Sequence, residues 1–455
     1  MAESLIKMSN KAAELVRSIP PETTIRVVSH YDADGITAAA VICTALYRAG
    51  YDFHATLMRN PFTKGLERLA KEESELIIFS DMGSGQIQTL ETFEKPLIII
   101  DHHQIIKQKV RNEIIQINAN LCGMDGNYEA SGATLSYSFA IALDDDNIDL
   151  APLALAGAIG DKQHIGGLRG YNKELVDMAL KKELLHPRMG LKLSGTTLLD
   201  ALYFSIDPYY SQLSGNKKQI EKLLDKLNID TKTSVADLTS ETLTQLHSIL
   251  VFSLLKTGCQ SNIVDTIIRT RYFAPTLGYE LEQYADLLDA CGKFGSRGVG
   301  LALCFGSKEA AIQAQKIEQD FDQKILSYLI TLENGGIEEG KVLRYFYCDD
   351  SSLGGVVAGI AANYIFDETK PLLSLVKKEE ENEIHVSCRG NQTLVVHGLD
   401  LAQAMKEASQ HFGGFGGGHK IAAGATIPLD KEQEFIPFVD AVVTRQLKEY
   451  HEHHM

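Results

Sequence analysis

Residues 1–165 alternate short strand-like runs with helical patterns, and this alternation limits the possible fold more than any other feature of the chain. Glycines, polar turns or segments with helical spacing separate the runs. Apolar strands that alternate with helices are typical of a parallel sheet covered on both faces. The five runs are IRVVS (25–29), HATLM (54–58), ELIIFS (75–80), PLIII (96–100) and IIQIN (114–118).

The rest of the chain changes character twice, and the whole pattern predicts an α/β protein with four segments. Polar helical segments dominate the middle, where the apolar run GVGLALCFG (298–306) predicts a strand. The C-terminal part returns to alternating strands and helices, with a predicted glycine-rich loop at 413–418. The predicted segments are a parallel-sheet domain (1–170), a mostly helical insertion (171–300), a strand with a connecting helix (301–336) and a smaller α/β domain (337–455).

Composition excludes several classes of protein. The formal net charge of −16 argues against a protein that coats nucleic acid nonspecifically, because phosphate binding depends on clustered lysine and arginine. The seven cysteines include no C-x-x-C pair, so neither a disulfide framework nor a zinc ribbon is expected. No apolar run reaches about 18 residues, and the start lacks a signal-peptide pattern. We therefore expect a cytoplasmic protein with no membrane partner.

Acidic residues and histidines cluster where predicted elements end. His30, Asp32 and Asp34 follow the first strand, and Asp81 follows ELIIFS. Asp101, His102 and His103 follow PLIII, and Asp161 follows an apolar helix. Loops at the carboxyl ends of parallel strands converge on one crevice, so these side chains are expected to meet there.

This set of side chains favours metal chemistry. A single D-x-D motif is more often a helix cap or a turn, and only the joint occurrence at strand ends favours a metal site. Carboxylates mixed with imidazoles suit Mn²⁺ or a similar divalent ion. Two ions that share a carboxylate would activate water and stabilise the transition state of phosphate transfer. The sequence has no convincing Ser-His-Asp or Cys-His arrangement.

Four of these motifs together resemble the DHH phosphoesterase family: HYDADG (30–35), Asp81, DHH (101–103) and GD (160–161). The C-terminal IHVSCR (384–389) and GGFGGGHKIAAG (413–424) resemble the family's DHHA1 substrate-binding domain. Two middle segments, DPYYSQLSGN (207–216) and ADLLDACGKFGSRGVGLALCFG (285–306), resemble the archaeal RecJ-like exonucleases, which include the nuclease that associates with the GINS replication complex. The resemblance thus covers nearly the whole chain.

The resemblance implies a role for each matching residue. One metal ion would be bound by Asp34, Asp81, His102 and Asp161, and Asp32 would bind a second ion that Asp81 bridges. His103 would lie beside the scissile phosphate and forms the predicted catalytic pair with Asp101. The substrate-binding residues that it implies are Ser387, Arg389, Gly416, Gly417, Gly418 and His419.

One position departs from the family pattern. Many members have a metal-binding histidine four residues before the first aspartate of D-x-D, and Val28 occupies that position here. The nearest histidine is His30, so His30 or water would complete the second site. We therefore expect one or two Mn²⁺ ions, with Mg²⁺ as the alternative ion.

The resemblance implies an exonuclease that hydrolyses single-stranded DNA, RNA or both during replication or repair, with GINS as a candidate partner. Two alternatives stay open. One is a phosphodiesterase for very short oligonucleotides or nucleotide phosphates, and the other is a Cdc45-like replication scaffold with little catalysis. The presence of every carboxylate and of the DHH triplet favours an enzyme over the scaffold.

Overall fold

Parallel strands need a crossover connection, and the helices that provide it cover the two faces of the sheet. The structure is a computed structural model that describes residues 2–59, 64–106, 108–195 and 197–454. The chain forms two units by packing, Met1–Met189 with Thr270–Glu318, and Gly190–Arg269 with Gln319–Met455. The four-segment division of the sequence remains a prediction.

The helices and strands of the described residues are numbered in chain order. The strands are β1 (Ile25–His30), β2 (Phe53–Met58), β3 (Ile77–Ser80), β4 (Leu97–Asp101), β5 (Ile114–Asn118), β6 (His186–Gly190), β7 (Arg269–Ala274), β8 (Tyr279–Glu280), β9 (Glu338–Glu339), β10 (Arg344–Tyr347), β11 (Leu372–Lys378), β12 (Glu383–Arg389), β13 (Phe415–Gly418) and β14 (Ala422–Pro428). The helices are α1 (Ala2–Arg17), α2 (Ala33–Arg48), α3 (Lys64–Lys71), α4 (Ile87–Leu90), α5 (Gly132–Leu143), α6 (Ala151–Gly160), α7 (Gly170–Lys181), α8 (Leu198–Tyr203), α9 (Lys217–Lys226), α10 (Ser240–Lys256), α11 (Ser261–Ile267), α12 (Leu281–Lys293), α13 (Arg297–Cys304), α14 (Lys308–Glu333), α15 (Gly354–Tyr364), α16 (Gln392–Val396), α17 (Leu401–His411) and α18 (Glu432–His454).

The first unit is built on the predicted parallel sheet. Its five strands have the order β2–β1–β3–β4–β5, and every neighbouring pair is parallel. One face packs against α1, α2 and α5, with α6 packed behind α2 and α5, and the other face packs against apolar residues of α3 and α4. The predicted sheet with two covered faces is therefore confirmed. Strand β2 is added on one side of β1, and β3 to β5 are added on the other side. Open α/β sheets bind ligands at such a switch point, which lies here between β1 and β3.

The middle of the chain corrects one prediction. GVGLALCFG was expected to be a strand, but residues 297–304 form α13. Gly300 lies where this helix meets two others, because a Cβ atom there would lie 3.1 Å from Ile36 of α2 and 3.3 Å from Cys291 of α12. The glycine lets α13 pack closely on two helices, and an apolar run alone does not distinguish this helix from a buried strand. The mostly helical insertion also contains a small sheet of order β6–β7–β8.

The second unit contains a mixed six-stranded sheet of order β13–β14–β12–β11–β10–β9. Only β10 and β11 pair in parallel. Helix α15 packs against β11 and β12, while apolar residues of α17 and α18 cover the opposite face. The predicted glycine-rich loop is partly wrong, since residues 415–418 form β13. A Cβ atom on Gly416 would lie 2.7 Å from the Met405 carbonyl oxygen of α17, so glycine permits this close contact.

Among the described residues, no helix has both the length and the apolar composition that a bilayer crossing requires.

Candidate metal centre

The predicted metal-binding residues of the first unit meet at the carboxyl ends of β1, β3 and β4. His30 is the last residue of β1, and Asp32 caps α2 by accepting a hydrogen bond from the Gly35 amide at 3.0 Å. Asp81 follows β3, and Asp101 ends β4. Asp161 follows α6, which packs against α2. The sheet order thus brings together residues that are far apart in sequence.

Asp34 is fully buried and bound to the start of α5. Its carboxylate accepts hydrogen bonds from the Ser131 hydroxyl at 2.7 Å, the Gly132 amide at 2.7 Å and the Ala133 amide at 3.0 Å. The N-terminus of a helix favours negative charge. Burial nevertheless raises the pKa of Asp34 well above its ordinary value, and the charges of Asp81 and Asp161 add to this rise.

Asp81 lies between two groups of potential ligands. Its Oδ1 atom is 3.2 Å from Nε2 of His102, and its Oδ2 atom is 3.5 Å from Nδ1 of His30. Burial opposes its ionisation, but the hydrogen bonds with His102 and His30 lower the pKa of Asp81 below its ordinary value. Its φ angle of +54° is uncommon for a residue with a side chain, although aspartate tolerates it better than most. Each oxygen therefore faces a different group, as a bridging carboxylate would.

One ring nitrogen of His102 is hydrogen-bonded to the backbone, and the other lies close to three carboxylates. Nδ1 donates to the Gly126 carbonyl oxygen at 2.6 Å, which assigns the ring proton to that nitrogen. Nε2 lies 3.2 Å from Asp161 Oδ2 and 3.8 Å from Asp34 Oδ2. Burial disfavours the charged ring, but the hydrogen bond with Asp81 and the charges of Asp161 and Asp34 raise the pKa of His102 well above its ordinary value.

These residues fit a divalent metal ion. Ligand atoms of Asp34, His102 and Asp161 all lie within 4.8 Å of one another. Burial raises the pKa of Asp161 to about 6. Three buried atoms, Nε2 of His102, Oδ1 of Asp81 and Nδ1 of His30, have no partner of good hydrogen-bond geometry in the described part of the chain. A cation would satisfy these atoms and balance the carboxylate charges.

A second group of potential ligands consists of His30, Asp32 and Asp81, whose ligand atoms also lie within 4.8 Å of one another. Nδ1 of His30 is 2.7 Å from Asp32 Oδ2. Val28, at the position where many family members have histidine, is fully buried in the core of the sheet. His30, rather than Val28, is therefore the residue that lies within reach of Asp32 and Asp81.

Asp101 and His103 form a pair next to this centre. Nδ1 of His103 lies 2.7 Å from Asp101 Oδ1, and Asp101 also accepts a hydrogen bond from the Ser84 amide at 2.8 Å. The bond with Asp101 raises the pKa of His103 above its ordinary value. The His103 side chain is 57% exposed, and its ring centroid is 4.3 Å from that of His102. Asp101 therefore orients an accessible imidazole beside the buried ligands.

The predicted substrate-binding residues lie together in the second unit. Ser387 and Arg389 belong to β12, where Ser387 pairs with Gly424 of β14 and Gly424 pairs with Gly417 of β13. Arg389 pairs with Ala422, whose carbonyl oxygen accepts a hydrogen bond from the His419 amide at 2.8 Å. Arg389 and His419 thus lie at one end of the sheet.

The arginine side chain also lies against α15. A Cβ atom on Gly355 would be 2.8 Å from Nη2 of Arg389. Gly416 and Gly418 complete the predicted set on β13.

Sequence reasoning missed the residues that hold the ligands. Ser131 binds Asp34 directly, and Gly126 supplies the carbonyl group for His102. Asn118 and Asn120 donate to the carbonyl oxygen of His103 at 3.0 and 3.1 Å. Ser131 could have been found as the predicted cap of the apolar helix that follows it. The two asparagines carried no such signal.

Comparison with known proteins identifies the family. The model of the N-terminal domain of the DHH family matches residues 24–158, and the DHHA1 domain model matches residues 341–445. An uncharacterised protein of Methanocaldococcus jannaschii is 30% identical over 431 residues, which cover 93% of this chain and 94% of that relative. The chain belongs to the DHH family. The resemblance found in the motifs is confirmed.

Solved structures of RecJ and Cdc45 are similar to this DHH chain in fold. RecJ of Thermus thermophilus in complex with Mn²⁺ has a TM-score of 0.59 and 18% identity over 96% of this chain. The match covers 55% of the RecJ chain. Cdc45 of Entamoeba histolytica has a TM-score of 0.63 and 13% identity, over 97% of this chain and 98% of that chain. At these identities the likeness establishes the fold alone.

Mn²⁺ is expected to stabilise the metal-free protein. A ligand that binds only the folded state at 100 times its Kd adds about 2.7 kcal/mol to the free energy of unfolding. Differential scanning calorimetry with and without Mn²⁺ measures the resulting rise in Tm. Asp34→Asn should lose most of this rise, whereas Asp177→Asn, which changes an exposed carboxylate paired with Lys173, should retain it. An unchanged Tm in the unaltered protein would contradict the metal centre.

The geometry also predicts two Mn²⁺ ions that share Asp81. Replacing His30 by leucine should weaken one of them by more than about tenfold, the effect that loss of even an outer-shell partner can have. Isothermal titration calorimetry gives both the stoichiometry and the two dissociation constants. The affinity for the other ion should fall less, because His30 is not among the residues proposed to hold it. A single ion in the unaltered chain would rule out the second group as a site.

Proposed function

We propose that this chain is a Mn²⁺-dependent phosphodiesterase that releases nucleotides from an end of single-stranded DNA or RNA in the cytoplasm, during replication or repair. The observation that carries the proposal is the convergence of Asp34, Asp81 and Asp161 on Nε2 of His102, which lies 3.2–3.8 Å from a carboxylate oxygen of each. RecJ of Thermus thermophilus has been solved with Mn²⁺ and with Mg²⁺, which supports the choice of ion.

The residues of the first unit have separable roles in this proposal. Asp34, Asp81, His102 and Asp161 would hold one ion, and His30, Asp32 and Asp81 would hold the other. A bound ion of this kind supplies Lewis acidity, which lowers the pKa of water and neutralises charge on a phosphate. Asp101 accepts a hydrogen bond from Nδ1 of His103 and favours the charged ring, whose Nε2 can then donate to a phosphate oxygen.

The second unit would bind the phosphates of the strand. The forked donors of Arg389 suit a phosphate group, and the glycines of β13 let backbone amides approach one closely. Ser387 and His419 add polar contacts from the same sheet. Contacts of this kind carry no sequence information, so they support a substrate of any sequence.

A Cdc45-like scaffold is the second candidate. The TM-score of 0.63 to Cdc45 of Entamoeba histolytica favours it, and an active nuclease that also binds GINS would combine both functions. The buried ligand set favours the enzyme, because a scaffold needs no cluster of buried carboxylates and imidazoles at the ends of its strands.

Single-stranded DNA and RNA, each labelled at either end, test the nuclease directly. The protein should release mononucleotides with Mn²⁺ and none with chelator, because charge on the phosphate is then no longer neutralised. Asp34→Ala should abolish release, provided that circular dichroism shows it to be folded. Comparison of the two labels gives the polarity, and a dinucleotide substrate distinguishes a short-substrate enzyme. Equal cleavage by Asp34→Ala, or no cleavage of any strand, would contradict the proposal.

His103→Ala is expected to lower kcat by about 10²–10⁴-fold, the usual contribution of a positioned proton donor. The Kd for Mn²⁺ should change little, because His103 is already bonded to Asp101. Asp101→Asn should lower kcat less, and the double variant should be no worse than His103→Ala. His54→Ala, an exposed histidine of β2, provides the control with unchanged kcat. A large loss of Mn²⁺ affinity in His103→Ala would instead make His103 a ligand.

A further inference from the structure

Gln163 lies in the turn after α6 and contacts the surroundings of two predicted ligands. The residue is only 2% exposed, and its Nε2 atom donates to the Gly126 carbonyl oxygen at 2.9 Å and to the Ala130 carbonyl oxygen at 3.3 Å. The same Gly126 carbonyl oxygen accepts the hydrogen bond from Nδ1 of His102. Nε2 of Gln163 also lies 3.4 Å from Asp161 Oδ2.

A series of hydrogen bonds connects the Oε1 atom of Gln163 to the carboxylate of Asp34. Its Oε1 atom accepts a hydrogen bond from Nδ2 of Asn172 at 2.6 Å, and Oδ1 of Asn172 accepts one from the Thr134 hydroxyl at 2.9 Å. The Thr134 oxygen in turn accepts from the Ser131 amide at 2.9 Å. The Ser131 hydroxyl donates to Asp34 at 2.7 Å.

The backbone is shaped to allow this chain of contacts. Lys162 has a φ angle of +60°, and the backbone amide of Gln163 donates to the Ala158 carbonyl oxygen of α6 at 3.0 Å. This turn therefore holds Gln163 against the end of α6. Gly126 must be glycine, since a Cβ atom there would lie 1.8 Å from the carbonyl oxygen of His102. Asn172 and Thr134 are fully buried, where polar networks are rigid only if every member is paired.

We propose that Gln163 and Asn172 are positioning residues that set the affinity of the centre for its metal ion. Together they connect the supports of His102 and Asp34 and contact Asp161, so one buried network fixes three ligands relative to one another. The inference rests on the metal centre of the proposed function, but it does not depend on nuclease activity. Outer-shell partners of metal ligands typically change metal affinity by about 10- to 100-fold when they are replaced.

Mn²⁺ binding to the full chain tests the inference. Gln163→Met and Asn172→Leu keep similar side-chain volume and remove the hydrogen-bonding atoms. Thr134→Val cuts the network between Asn172 and Ser131 with an isosteric side chain, and Thr134→Ser keeps the hydroxyl. Asn147→Leu is the matched control. Asn147 is fully buried in the same unit and donates to the Ala140 carbonyl oxygen of α5 at 2.9 Å, but is not part of this network.

Calorimetric titration gives the Kd for Mn²⁺, and the Tm of each metal-free variant reports stability separately. We expect the Kd to rise about 10- to 100-fold in Gln163→Met, Asn172→Leu and Thr134→Val, and to stay near the original value in Thr134→Ser and Asn147→Leu. If Gln163→Met does not fold, the Kd of Thr134→Val for Mn²⁺ tests the inference in its place. A Kd within about twofold of the original in Thr134→Val and Asn172→Leu, or an equal rise in Asn147→Leu, would overturn the inference. Absence of Mn²⁺ binding by the unaltered chain would overturn the metal centre and this inference together.

Discussion

Repulsion among buried carboxylates is the constraint on which the centre of the first unit depends. Asp34, Asp81 and Asp161 surround a single imidazole nitrogen, and carboxylates this close in a buried site cannot all be ionised without a nearby positive charge. In the metal-free chain, burial together with the charge of Asp81 raises the pKa values of Asp34 and Asp161, and the carboxylates around His102 raise the pKa of its imidazole, so these groups hold protons more tightly. A divalent ion would replace those protons and release them to solvent.

The fold concentrates these charges in a way that single elements cannot. The order β2–β1–β3–β4–β5 places the ends of β1, β3 and β4 side by side, and the start of α5 provides amides for Asp34. Close packing is needed as well as topology. A Cβ atom on Gly157 would lie 2.6 Å from Asp34 Oδ1, and one on Gly132 would lie 2.6 Å from the Cβ atom of Asp81. Small residues on two helices therefore let the carboxylates reach the crevice.

The sequence predicted the sheet and the acidic and histidine residues that meet at its edge, because both have strong local signals. Apolar runs such as PLIII indicate a buried strand by themselves, and aspartates at strand ends point to one crevice. The supporting residues have no comparable signal. Ser131 looks like an ordinary helix cap, and Gln163 follows Asp161 without any motif. Their importance arises from contacts between residues far apart in sequence, which only the folded chain reveals. The same limit explains α13, where Gly300 matters because of what packs against it.

Similarity of fold does not separate an exonuclease from a replication scaffold, because the chain is similar to both RecJ and Cdc45. The energetics of the crevice provide a better criterion. A buried polar atom without a partner lowers stability by about 1–3 kcal/mol, and replacing a buried ionic cluster by apolar side chains is often stabilising. A chain that needed only the fold would be more stable with such side chains. Within the described residues, this chain instead gathers carboxylates and imidazoles whose facing atoms lack good hydrogen-bond geometry, and it supports them with paired amides and hydroxyls. A bound cation would stabilise such an arrangement, which is a reason to regard the site as functional rather than as a remnant of the fold.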